Sequence, residues 1–80
     1  MYIVRTKRKT IVEVFKTNID HPAHAKTAIE SLHCVWPDWK INVDLDDCDN
    51  ILRIESVNII NASWVSNHLI GMGYIAEVLE

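Results

Sequence analysis

The sequence predicts an α+β domain in which one antiparallel sheet of four strands carries two helices on a single face. Three observations predict it. Four short segments are rich in β-branched or alternating apolar residues, and two segments with helical spacing stand between them. A polar turn joins the middle two strands into a hairpin.

The first strand covers 11–17, where Ile11, Val12, Val14 and Phe15 suit a sheet buried on at least one face. Asp20 is the expected N-cap of a helix over 21–35, with Pro22 in the first turn, where its missing N–H costs little. Ala25, Ala28, Ile29, Leu32 and Val35 follow at helical spacing, and Pro37 ends the helix near Trp36. In the second strand, 39–45, Ile41, Val43 and Leu45 alternate with Lys40, Asn42 and Asp44, which predicts one dry and one wet face. Asp46, Asp47, Asp49 and Asn50 supply a turn, and 51–56 returns as the next strand. Asn58 or Asn61 caps a second helix over 59–71 with an inner stripe of Val65, Leu69 and Met72. Gly71 and Gly73 end it, and 74–79 is the last strand. No repeat, low-complexity tract or linker interrupts the 80 residues, which read as a single domain, 1–80. Strand, helix, hairpin, helix, strand is the split-βαβ order, a ferredoxin-like βαββαβ sandwich.

Composition narrows the function classes. A hydrophobic content of 49% with 24% charged residues suits a packed core. The net charge of −3 argues against non-specific nucleic-acid binding, which needs clustered Lys and Arg. No apolar run approaches the roughly 20 residues that span a bilayer, and no apolar stretch follows the early basic residues as in a signal peptide. A cytoplasmic protein without membrane or nucleic-acid partners is therefore expected. Arg5, Lys7, Arg8 and Lys9 mark residues 1–10 as a basic N-terminal arm or strand extension. The two cysteines, Cys34 and Cys48, are too few for a disulfide scaffold and are expected to stay reduced, with Cys34 a small buried apolar residue. Among Ser, His and Asp no spacing signals a catalytic set, and no Gly-rich loop cradles a phosphate, so no enzyme is expected. Ile51–Glu55 carries no aromatic, unlike the base-stacking strands of RNA-recognition motifs. The acidic turn lacks the ligand offsets, Gly and distal Glu of an EF-hand.

The junction of the first strand and helix is more specific. Ile19, His21, His24, Ala25, Ala28 and Leu32 stand where one family has its Met, two Cys, a small apolar residue and helix-core residues. Leu69, Gly73, Tyr74, Ala76 and Val78 look like that family's closing helix, Gly-Tyr turn and last strand. Over about 12–79 the chain resembles the heavy-metal-associated domain, as a divergent member without the C-x-x-C motif. The resemblance implies a metallochaperone or the soluble domain of a metal pump. In such proteins two thiolates carry the function, because soft sulfur selects Cu(I).

Here His21 and His24 occupy the two thiol positions, and imidazole favours Zn(II), Ni(II) or Cu(II). The positive end of a helix stabilises thiolates, whereas neutral imidazoles bring no charge to offset a divalent cation there. The topology brings the first strand's exit, the hairpin turn and the second helix's end to one end of the domain. His21, His24, Cys48 and the Gly71–Tyr74 turn are therefore expected to converge, with His68 a turn away and Asp20 as a further carboxylate. The metal-ligand candidates are His21 and His24, with Cys48 third, and the only cofactor suggested is a transition-metal ion such as zinc or copper. The competing reading is a metal-free protein-interaction module. Trp36 and Trp39 flank Pro37 and plug one end of the core. Trp64 sits beside the inner stripe, next to Ile60 and His68, and reads either as a partly buried core residue or as the mark of a helix face for a protein partner, a donor or acceptor or a second copy.

Overall fold

The computed structural model describes residues 10–79, so all but Thr10 of the expected basic arm lies outside the described residues. The elements are β1 (Ile11–Thr17), α1 (Pro22–Val35), β2 (Lys40–Asp44), β3 (Ile51–Ser56), α2 (Ala62–Ile70) and β4 (Ala76–Val78). The four strands form one sheet in the order β2-β3-β1-β4. Every neighbouring pair is antiparallel. Among the described residues no helix is long and apolar enough to cross a membrane.

Alternation sorts the side chains. Phe15 pairs with Leu52 and Val78, and Ile54 with Ile41, so one face of the sheet is apolar across the strands. The opposite face carries exposed Lys16, Lys40, Asn42, Arg53 and Glu77. Ala25, Ala28 and Leu32 of α1 and Val65 and Leu69 of α2 enter the same core as Phe15, Leu52 and Ile54. Both helices thus cover the apolar face. Burying a side chain of the size of Phe15, Leu32, Leu52 or Leu69 contributes roughly 1.5–3 kcal/mol.

Three details differ from the sequence reading. His21, not Asp20, caps α1, with its Nδ1 accepting the Ala23 N–H at 3.1 Å. Cys34 is exposed rather than buried, because the inner stripe of α1 passes through Leu32 and leaves Cys34 on the outer side. The second helix begins at Ala62, three residues late, capped by Asn61 through a 2.9 Å bond from the Ser63 N–H.

One end of the domain is tied together by backbone. The Thr17 N–H donates to the Asp49 carbonyl at 3.1 Å, and the Thr17 hydroxyl donates to the Asn50 carbonyl at 2.6 Å. The Ile75 N–H donates to Asn18 Oδ1 at 2.8 Å. Gly73, with φ of +93°, turns the chain from α2 towards β4 through a backbone region that favours glycine. The β1 exit, the β2–β3 turn and the approach to β4 therefore share this end, beside the start of α1.

Candidate metal centre

Two histidines and a tyrosine define the surface at that end. His21 holds the N-cap of α1 in extended backbone (φ −133°, ψ 137°), and Pro22 begins the helix behind it. His24 lies in the first turn. Both are exposed, and their ring centres stand 5.4 Å apart. The Tyr74 ring also lies beside His24, with centres 5.9 Å apart.

Two imidazoles bound to one Zn(II) ion at about 2.0–2.1 Å bring their ring centres roughly 5 Å apart. The observed spacing fits a shared ion. The hydrogen bonding opposes it in part. His21 Nδ1 already accepts the Ala23 N–H, so in the neutral ring the proton sits on Nε2. Coordination through Nε2 requires the other tautomer, which gives up the cap. Coordination through Nδ1 displaces the backbone donor directly. A metal at His21 therefore competes with the start of α1. The first turn holds no acidic residue, so nothing within the helix offsets the positive end of its dipole against a cation.

Cys48 reaches the same end of the domain on the β2–β3 turn, but its sulfur groups with Asp47 and Asp49. Among the described residues these three form the only group of at least three His, Cys, Asp or Glu ligand atoms lying within 4.8 Å of one another. Both carboxylates already have structural roles. Asp47 Oδ1 accepts the Asp49 N–H at 2.8 Å, and Asp49 pairs with Lys16 at 3.8 Å. His68 sits elsewhere. Its Nε2 is 2.7 Å from the Ser31 hydroxyl, and its ring meets Trp36 edge-on.

At the opposite end of α1 the tryptophans form a ladder that spacing did not reveal. Trp36 stacks on Trp39 with centres 4.4 Å apart and planes 4° from parallel. Trp64 lies nearly parallel to Trp36 on α2, with centres 6.4 Å apart. Trp39 is buried and Trp64 is 52% exposed, so the ladder runs from core to surface. The backbone behind it is held by a 2.8 Å bond between His33 Nε2 and the Trp39 carbonyl. Ser31 and His68 are 37 residues apart, so their contact depends on how α1 and α2 cross, which no local pattern encodes.

No family model, curated protein or solved structure matches this chain.

Proposed function

We propose that this chain is a small non-catalytic binding module of ferredoxin-like βαββαβ build, akin to the heavy-metal-associated domain. In this reading it takes a transition-metal ion weakly through His21 and His24. The observation that carries the reading is the 5.4 Å separation of two exposed imidazoles at the head of α1, the spacing of two ligands on one ion. The build is supported by the strand order β2-β3-β1-β4 with both helices over one face. Two imidazoles leave at least half of the coordination shell to water, so Zn(II), Cu(II) or Ni(II) binds loosely and Cu(I) is not favoured.

The test is a titration of the metal-free chain with Zn(II) and Cu(II), followed by heat capacity and by thermal midpoint, which a ligand of the native state raises. His21→Asn combined with His24→Ala removes both imidazoles and keeps a capping oxygen. That variant should fold and lose the response. Tight Cu(I) binding in competition with a thiol chelator, or metal binding unchanged in the double variant, would sink the assignment.

A second reading is favoured by the tryptophan ladder. Half-exposed Trp64 continues a surface on which Val35, Trp36 and Ile59 line one groove, and Ile59 is 80% exposed. An aromatic anchor within an apolar surface is the composition of a protein-docking face. In this reading the module has lost metal and kept a protein partner.

A further inference from the structure

We propose that the β2 edge of the sheet is a self-association surface, on which a second copy of this chain adds its own β2 across a two-fold axis. β2 ends the order β2-β3-β1-β4, so among the described residues one side of its backbone has no neighbouring strand. Such a row of N–H and C=O groups accepts another extended chain unless the side chains prevent it. Here the side chains select one partner. Lys40–Asp44 reads lysine, isoleucine, asparagine, valine, aspartate. An antiparallel copy centred on Asn42 sets Lys40 opposite Asp44 of the second copy, and Asp44 opposite its Lys40. Ile41 then meets Val43 of the second copy, Val43 meets its Ile41, and Asn42 meets Asn42.

The two-fold axis stands perpendicular to the sheet, so the helices of both copies lie on the same side. Polar residues therefore face polar, and apolar face apolar. Opposite charges directly across an antiparallel pair stabilise it, and like charges destabilise it. A slip of two residues shortens the paired stretch to three. A slip of four sets Lys40 against Lys40, or Asp44 against Asp44. Only the centred register pairs all five residues and both charges.

Two further observations favour this occupant. Ile41 and Val43 pair with fully buried Ile54 and Leu52, yet are themselves only half-buried, so the core is incompletely covered along this edge. A second sheet would cover it. Lys40 and Asp44 also take no part in the ion pairs found among the described residues, Lys16–Asp49 and Arg53–Glu55. Lys40 does lie across from Glu55, whose carboxylate is held by Arg53 at 3.2 Å. The Asp44 carboxylate is anchored beside the edge by a 3.0 Å bond from the Asp46 N–H. The other edge, β4, has three residues and offers no such pattern.

The test is sedimentation velocity on the 80-residue chain at low salt, over concentrations up to about 1 mM. The expected result is a monomer–dimer equilibrium that weakens with added salt, with exchange protection of the β2 amides rising with concentration. Lys40→Asp and Asp44→Lys should each weaken self-association by at least about tenfold, because both symmetric pairs become repulsive. Mixing the two variants in equal amounts should restore association, as a heterodimer with every pair again opposite in charge. Both positions are exposed, and circular dichroism checks that each variant folds. A chain monomeric at the highest concentration, reversals without effect, or a mixture no more associated than either variant alone would overturn the proposal. Metal binding at His21 plays no part in this test.

Discussion

His21 shows that an imidazole can do the work of a helix cap. Ser, Thr, Asp or Asn normally caps a helix, because a short side-chain oxygen reaches the free N–H groups of the first turn. Here an imidazole nitrogen does so, from extended backbone and with Pro22 behind it. The sequence points instead to Asp20, the better cap by type, and the structure corrects it. The tie from Asn18 to Ile75 and the burial of Ile19 draw the chain inward just before the helix, and the first free N–H groups meet residue 21. This exposed cap contributes only modestly to stability. His21→Ala should therefore lower it by about 1 kcal/mol, and His21→Asn should hold or raise it. Urea denaturation of the three chains reads the difference. Equal stability of all three would mean that the Ala23 N–H bond contributes nothing.

At the scale of elements, the ends matter more than the middles. β1 and β3 have the spans that residue patterning predicts, since β-branched runs closed by turn residues leave little freedom in where a strand stops. The start of α2 is less legible. Both Asn58 and Asn61 are competent caps, and the choice falls to Asn61 because Ile60 before it is buried. Ile60 and Val65 stand at the two positions of a hydrophobic staple and share the core. Ser56 Oγ meanwhile accepts the Asn58 N–H and holds that stretch as a turn. The end of β1 depends most on Thr17. Its buried hydroxyl donates to the Asn50 carbonyl and accepts the Ile19 N–H at 3.2 Å, joining β1 to the β2–β3 turn and to the entry of α1. Thr17→Val keeps the shape and strands both partners, so it should lower stability by about 1–3 kcal/mol. Thr17→Ser keeps the hydroxyl and should stay within about 1 kcal/mol of the unaltered chain. Equal losses in both variants would place the effect in packing of the methyl group instead.

For the whole molecule, element order and core were legible because hydrophobic period is a local signal, and Phe15, Leu32, Leu52, Val65 and Leu69 all lie in the core. The candidate site was legible only in part. The nearness of His21 and His24 follows from their spacing across the start of one helix, whereas the placement of His68 beside Trp36, and of Cys48 among aspartates, depends on how distant segments meet. The same topology fixes where the two thiols lie. Cys34 is in the last turn of α1, a helix of 14 residues, or about 20 Å at 1.5 Å per residue. Cys48 is on the turn that Thr17 and Asp49 tie to the other end of that helix. A disulfide needs its two Cα atoms within about 7 Å, so these cysteines cannot meet in the folded chain. Both are exposed and free. Both should therefore react with an aromatic disulfide reagent without denaturant, releasing two equivalents of chromophore per chain. Under mild oxidation the linked products should be dimers and higher multiples of the chain, joined between chains. A monomer carrying an internal bridge, seen as a loss of two mass units without dimer formation, would mean that the two ends of α1 are not where β1 and the β2–β3 turn hold them.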